Sequence, residues 1–221
     1  MSTCFVDVQN KKIAIPGYYN NPMTLIGSAS LRIINNIIDS PKYDVYIDNN
    51  KYFNHVVYKT MTSFITIDAG DRLINIKTKH DHIKSFKTLL LAGGTYTLVL
   101  IGTIDNVDVL FLDDTIECDD DTFIYVRFIH AVKDISFINV LLDQEEYDDI
   151  NYKDSNVLKI PKKRNQVNYD ETINLTLQSK KYKLNTYPLY VQQGHIYTVV
   201  LTGTVDHLFI LTKDDGQRRC Y

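Results

Sequence analysis

The chain has 221 residues, enough for one large domain or for two of about 100 residues each. Its 24 basic and 27 acidic residues give a formal net charge of −3, which argues against a nucleic-acid partner. No apolar run approaches the roughly 20 residues of a membrane-spanning helix, and the N-terminus lacks the basic and apolar regions of a cleavable signal peptide. We therefore expect a chain that is made in the cytosol without a signal peptide and that has no membrane span.

An N-terminal arm, residues 1–30, precedes the region that is dense in strand signals. Two of its stretches have the pattern of short strands, one with Phe5, Val6 and Val8 and one with Ile13 and Ile15. We expect this arm to add a strand to the edge of a sheet, either in its own molecule or in a neighbour. The plainer alternative is an ordered arm that packs on the first domain.

Residues 31–114 form a first unit of closely spaced strand signals. Short apolar segments separated by turns every 8–12 residues or so are typical of a β-sandwich, and no helical period persists, so we expect little helix. Asp48, Asn49 and Asn50 indicate a hairpin turn, because Asp and Asn tolerate the left-handed backbone that such turns need. The predicted strands are 31–34, 43–47, 52–53, 56–58, 63–67, 72–77, 96–101 and 107–112.

A short acidic linker, residues 115–123, leads to a second unit at residues 124–216, and residues 217–221 form a C-terminal tail. Such a linker predicts two domains that sit close together while retaining some relative freedom.

The second unit repeats the first. Arg127 follows Arg32 by roughly 95 positions, each in an apolar run that leads to Asp or Asn, then apolar residues, then Asp. The closing segments 94–105 and 195–206 share Tyr-Thr, an apolar run and Gly-Thr at an offset of roughly 101 positions. The chain is therefore predicted to be a tandem repeat.

These motifs resemble one bacterial family, the domain of unknown function forty-three ninety-seven (DUF4397), which opens R-x-x-H-A-x-P-x-x-x-x-V-D-V-Y and closes G-x-x-Y-T-x-x-x-x-G. The resemblance is carried by Arg127–Ala131 with Asn139-Val140, and by Gly194–Val200 with Gly203. It implies tandem immunoglobulin-like sandwiches in envelope-associated proteins and no established activity, so no catalytic residue is carried over. Asn35-Asn36 replaces His-Ala in the first copy, which argues against a shared catalytic role for His130.

Three cysteines, Cys4, Cys118 and Cys220, all lie outside the repeats. Thiols in the arm, the linker and the tail are well placed for covalent links between subunits in an oxidising compartment. The alternative is three reduced thiols without a structural role.

Two groups of residues have the chemistry of metal ligands. Calcium favours several oxygen ligands, but the aspartates of 113–121 lack the spacing of an EF-hand, and a solvated linker is the plainer reading. His80 and His82 have a spacing usable for zinc but no third ligand nearby, which favours an exposed loop. We expect no metal and no cofactor.

Tyrosine is the most prominent aromatic residue, with 16 copies. Tyrosines beside strands form either an aromatic platform for sugars or a partner surface, or are ordinary residues of a sheet face. The tyrosines considered are Tyr43, Tyr46, Tyr52, Tyr58, Tyr147, Tyr152, Tyr169, Tyr182, Tyr187 and Tyr190. No nucleophile elbow, P-loop or metalloprotease motif is present, so a binding or assembly role is favoured over catalysis.

We therefore expect an all-β protein of two tandem immunoglobulin-like β-sandwich domains with an N-terminal β arm. The leading hypothesis is a non-enzymatic structural protein that assembles with itself into a surface layer, fibre or coat on a spore, cell or virion, through arm exchange and disulfide links. The alternative is a monomeric adhesion module that binds carbohydrate or another surface protein. A hydrolytic enzyme with an unrecognised site is the third.

Overall fold

The computed structural model describes residues 27–114, 123–161, 170–179, 181–182, 185–192 and 194–217, together with two short strands within residues 5–14. All regular structure in these ranges is β. The strands are β1 Phe5–Val8, β2 Lys11–Ala14, β3 Ser28–Ile38, β4 Tyr43–Ile47, β5 Asn50–Val56, β6 Thr60–Met61, β7 Ile65–Asp68, β8 Gly70–Lys77, β9 His82–Leu90, β10 Thr95–Thr103, β11 Asn106–Asp113, β12 Phe123–His130, β13 Phe137–Leu142, β14 Glu145–Asn151, β15 Ser155–Pro161, β16 Asp170–Gln178, β17 Thr186–Gln192, β18 His195–Thr204 and β19 His207–Gln217.

Four sheets make up the body of the protein, two from each half of the chain. In the first half (β3–β11), the inner sheet has the order β11-β10-β3-β6, with β7 also pairing β3, and the outer sheet has the order β5-β4-β8-β9. In the second half (β12–β19), the inner sheet is β15-β12-β18-β19 and the outer sheet is β14-β13-β16-β17. Each inner sheet contains one parallel pair, β3 with β10 and β12 with β18, and the other pairings are antiparallel.

Each half encloses its own apolar core between its inner and outer sheets. Val45 and Ile76 of one outer sheet pack with Leu31 and Leu98 of the inner sheet in the first half. A separate cluster from β12 to β19 fills the second half. Alternation of buried and exposed residues, as in β4, places one face of each outer sheet on the core. The predicted all-β class and β-sandwich architecture are confirmed.

The central strands of the inner sheets are buried on both faces. Leu31 and Ile33 of β3 belong to the core of the first half, whereas Ile34 belongs to a third cluster that also contains Ile129 and Val200 of the second half. The two inner sheets therefore pack against each other, and the expected freedom between the halves is replaced by a buried interface. Strands buried on both faces are apolar without alternation, which explains the unbroken runs in β10 and β18.

Some local predictions were correct and others were wrong. Asp48 and Asn49 have φ of 47° and 71°, which confirms the predicted left-handed turn. Strand β5 ends at Val56, so the predicted strand at 56–58 is wrong. Strand β9 was not predicted, and the described ranges contain no helix that is long and apolar enough to cross a membrane.

The N-terminal arm supplies strands β1 and β2, which pair with each other as an antiparallel hairpin with Phe5 opposite Ala14 and Val8 opposite Lys11. This hairpin is a two-stranded sheet of its own. Phe5, Val6, Val8 and Ile13 lie within it, and Ile15 falls outside the described residues.

Candidate functional site

The repeated arginine of the first half lies at the centre of the interface between the inner sheets. Arg32, on β3, is fully buried, and its Nε donates to Thr97 Oγ1 at 2.7 Å. Its Nη2 donates to Thr198 Oγ1 of the second half at 2.8 Å, and both Nη atoms contact the carboxylate of Asp215. Phe64 covers the guanidinium, with the ring centre 4.5 Å from Cζ. One arginine thus joins strands from both halves.

The repeated arginine of the second half makes the reciprocal contact. Arg127, 3% exposed on β12, forms an ion pair with Asp114 of the first half, which also accepts a hydrogen bond from Thr97 Oγ1. Thr198 Oγ1 donates to Asp215 Oδ2 at 2.6 Å, in the equivalent place. Each half therefore supplies one arginine, one threonine and one aspartate, and each aspartate pairs with the arginine of the other half.

Other contacts surround this network and extend the interface. Asn36 Nδ2 donates to the carbonyl of Ala131 at 2.9 Å, and these two residues occupy equivalent positions of the repeat. Lys213 Nζ donates to the carbonyl of Thr62 at 2.7 Å. The two buried arginines are balanced by the buried Asp114 and the largely buried Asp215, so these four side chains carry no net charge, which a low-dielectric interface requires.

His130 has a structural role that an asparagine fills in the first half. Its Nδ1 accepts a hydrogen bond from the backbone N–H of Val132 at 3.4 Å, as Asn35 Oδ1 accepts from the N–H of Ile37 at 3.0 Å. Burial lowers the pKa of His130 to about 4, so the imidazole is neutral at pH 7. A side chain that asparagine can replace works as a hydrogen-bond acceptor, which explains the first copy's departure from the family pattern.

The repeated aspartates that follow the arginines hold turns and edges of the outer sheets. Asp48 Oδ1 accepts the backbone N–H of Leu73 at 2.9 Å, and Asp143 Oδ1 accepts that of Asn174 at 2.9 Å. Asp44 Oδ1 similarly accepts the N–H of His55 in β5 at 2.9 Å. Arg72 Nη1 binds Asp48 Oδ2 at 2.8 Å, and this bond with the one to Leu73 keeps the pKa of Asp48 below its usual value against the opposing effect of burial.

The repeated tyrosines and glycines of the closing motif also have structural roles. Tyr96 OH accepts the backbone N–H of Leu91 at 3.0 Å, and Tyr197 OH accepts that of Gln192 at 2.7 Å. Burial raises the pKa of Tyr96 above its usual value. Gly203 has φ of 102°, and a Cβ there would lie 2.1 Å from the carbonyl oxygen of His207, so only glycine fits.

A surface groove of about 710 Å³ runs between β17 and β19, the edge strands of the two sheets of the second half. Tyr190 lines it and is 77% exposed, the highest value among the exposed large hydrophobic residues of the described ranges. Gln192, Lys213 and Asp214 supply polar groups. Tyr43, by contrast, is 1% exposed in the core of the first half, so the tyrosines do not form one platform.

Of the predicted cross-link and calcium-ligand residues, the structure describes only Asp113 and Asp114. Cys4, Cys118 and Cys220 lie outside the described residues, as do Asp119, Asp120 and Asp121. Asp113 ends β11, and Asp114 is 3% exposed and paired with Arg127, so these two aspartates are not part of a solvated linker.

The histidine pair is split between a turn and a strand. His80 lies in the turn before β9, and His82 begins β9, where its Nε2 lies 2.6 Å from Ser85 Oγ. Within the described ranges, no cluster of three or more His, Cys, Asp or Glu side chains has the arrangement of a metal site.

The repeated motif residues have structural roles: they pack in the cores, hold turns, or form the interface between the inner sheets. The repeat predicts that Arg32 and Arg127 are equivalent, but no local pattern indicates that each binds an aspartate of the other half. The signal was the unbroken apolar run on β10 and β18, which indicated a second buried face.

The fold and these contacts define an all-β sandwich protein whose repeated residues maintain its architecture. The model of one family, described as "Domain of unknown function (DUF4397)", matches residues 29–130. This stretch, from β3 to the end of β12, matches that family's model, and the predicted resemblance is confirmed there. A comparison with curated proteins finds no match.

Proposed function

We propose that this protein is a non-enzymatic structural protein that assembles with itself into a surface layer, fibre or coat. The observation that carries the proposal is the separate N-terminal hairpin of β1 and β2. An isolated two-stranded hairpin is marginally stable in water, and a third strand would stabilise it. The edge of a sheet in a neighbouring molecule supplies such a strand by β-augmentation.

The roles of the motif residues support a non-enzymatic reading. Arg32 and Arg127 are buried and paired, and His130 is buried with its pKa lowered to about 4. A catalytic group must reach substrate, and these side chains face the interior.

Cross-linking and location complete this proposal. Cys4, Cys118 and Cys220 would form covalent links between assembled copies in an oxidising environment. Two tandem immunoglobulin-like domains would form the rigid body of each subunit. The assembly would cover a spore, cell or virion.

Deleting residues 1–20 tests the proposal. Sedimentation velocity should show large particles for the intact chain and single chains for the deletion variant. Because the deletion also removes Cys4, a Cys4→Ser variant of the full chain is the matched control and should still form particles under reducing conditions. Equal sedimentation of the intact and deleted chains would contradict arm exchange.

The groove at Tyr190 favours adhesion as a second candidate function. An exposed aromatic ring with carboxylate and amide groups beside it suits a sugar, whose C–H face stacks on the ring while its hydroxyls bind the polar groups. Binding to a glycan array should fall at least tenfold on Tyr190→Ala and remain unchanged on Tyr52→Ala, an exposed tyrosine of β5. Equal binding by both variants would exclude this groove.

A further inference from the structure

The two outer sheets have four edges, and three of them are protected against pairing with another strand. Strands β5 and β14 each contain a β-bulge, at which His55 and Asp149 have φ of 53°. The side chains of Asp44 and Asn139 hold these bulges through the N–H groups of His55 and Asp149, at 2.9 and 3.1 Å. A bulge twists an edge and interrupts its hydrogen-bonding groups, so neither strand is a good template.

The third protected edge is β17, which contains a proline. The backbone N–H of Asn174 in β16 donates to the side chain of Asp143, and the carbonyl of Asn174 accepts from the backbone N–H of Asp143. Both backbone groups of Asn174 therefore face away from β17. Pro188, opposite Asn174, is therefore in a non-hydrogen-bonded pair, and its backbone faces the open edge, where it offers no N–H. Four residues further on, the N–H of Gln192 is bound by Tyr197 OH, as the N–H of Leu91 is bound by Tyr96 OH at the end of β9.

Strand β9 is the equivalent edge of the first half, and it has no proline. The backbone N–H of Leu73 in β8 donates to the side chain of Asp48, and the carbonyl of Leu73 accepts from the backbone N–H of Asp48. Lys87, opposite Leu73, therefore presents its own N–H and carbonyl to the open edge. The pairing is regular from Lys84 to Leu90, so Ser85 and Leu89 face the same way. Within the described ranges no strand lies beyond β9 in this sheet. Lys87 stands where the second half has Pro188.

We propose that the outer edge of β9 is the acceptor for strand β1 of a second copy of this chain, a partner assignment that rests on the proposed self-assembly. The exposed side chains of Lys84 and Lys87 make this edge basic, and β1 contains Asp7 whereas β2 begins with Lys11-Lys12. Charge complementarity therefore selects β1 as the strand that joins the edge.

One antiparallel register satisfies both faces of the extended sheet. With Asp7 opposite Lys87, Phe5 lies opposite Leu89 on the solvent face. Val6 and Val8 then lie opposite Thr88 and Phe86 on the face that covers the core, where Phe86 already packs. Asp7 with Lys87 pairs opposite charges, Phe5 with Leu89 and Val8 with Phe86 pair apolar residues, and Val6 lies opposite the β-branched Thr88.

A single substitution in the full chain tests the acceptor. Lys87→Pro removes the outward N–H and reproduces the proline that the fold accepts at the equivalent position of β17. Lys87→Ala is the matched control, because it removes the charge and keeps the N–H. Sedimentation should show particles at wild-type size for Lys87→Ala with at most a severalfold reduction in amount, and at least a tenfold loss of particles for Lys87→Pro.

A charge exchange tests the register independently. Asp7→Lys should reduce the amount of particles severalfold, and the double variant Asp7→Lys with Lys87→Asp should restore it. Restoration is not expected from a purely structural effect of either single change.

Hydrogen exchange separates the possible outcomes. The amides of Ser85, Lys87 and Leu89 should exchange fast in dilute single chains and at least tenfold more slowly in the particles. Particles that form equally with Lys87→Pro and leave these amides unprotected would overturn the β9 assignment while self-assembly stands. Protection already present in single chains would show that the chain's own arm occupies the edge, and an intact chain that never assembles would overturn both proposals.

Discussion

Removing the guanidinium of Arg32 tests whether the repeated arginines fasten the two inner sheets together. In Arg32→Met, Thr97 and Thr198 each lose the hydrogen bond from the guanidinium, of 2.7 and 2.8 Å. The carboxylate of Asp215, 10% exposed, keeps its hydrogen bond from Thr198 but loses its ion pair with Arg32. Breaking a buried pair by removing one partner costs about 3–5 kcal/mol. For a chain of this size that corresponds to a fall in Tm of roughly 6–20 °C.

Urea unfolding followed by circular dichroism measures this cost. Lys51→Met, which breaks the exposed pair between Lys51 and Asp44 at 2.5 Å, is the control and should leave the free energy of unfolding nearly unchanged, because solvent screens exposed ion pairs. The double variant Arg32→Met with Asp215→Leu should recover part of the loss, because no uncompensated carboxylate remains. A loss below about 1 kcal/mol for Arg32→Met would refute the reasoning.

Two further predictions concern other repeated positions. Burial lowers the pKa of His130 to about 4, so between pH 6.5 and 4 the unfolded chain binds more protons than the native chain. The stabilisation that neutral His130 contributes is therefore complete above pH 6.5 and falls by about 3 kcal/mol as the pH drops to 4. His130→Asn, which copies Asn35, should flatten that part of the stability curve, and an unchanged pH dependence would contradict the assignment. Gly203→Ala should cost about 3 kcal/mol or more, because its Cβ would lie 2.1 Å from the His207 carbonyl oxygen; Gly93→Ala, with φ of 79° and open space, should cost about 1–2 kcal/mol. Equal thermal shifts for the two alanine variants would contradict this explanation.

The sequence predicted the fold class because its β signals are local. Alternation in β4 and the Asp48-Asn49 turn depend on neighbouring residues alone, and both appear as predicted. The repeat also predicted that Arg32 and Arg127 are equivalent, and in the structure each binds an aspartate of the other half.

The interface between the halves depends on contacts that no local pattern contains. Arg32 and Asp215 lie 183 positions apart, and an arginine in an apolar strand is equally compatible with an exposed edge. The double burial of β10 and β18 was visible as unbroken apolar runs, but a run of that kind does not say what covers its second face.

Strand β9 was missed because its pattern is weak. Lys84, Ser85 and Lys87 interrupt its apolar positions, and these same residues mark it as an exposed edge. His80 and His82 drew attention to a metal site at a place where the chain makes a turn and starts a strand.

Electron microscopy of the purified intact chain, with and without reductant and beside a non-reducing gel, tests self-assembly most directly. The account predicts regular filaments or sheets together with a reductant-sensitive ladder of covalent oligomers. Monodisperse single particles with free thiols under both conditions would contradict it, and the groove at Tyr190 would then become the leading candidate for function.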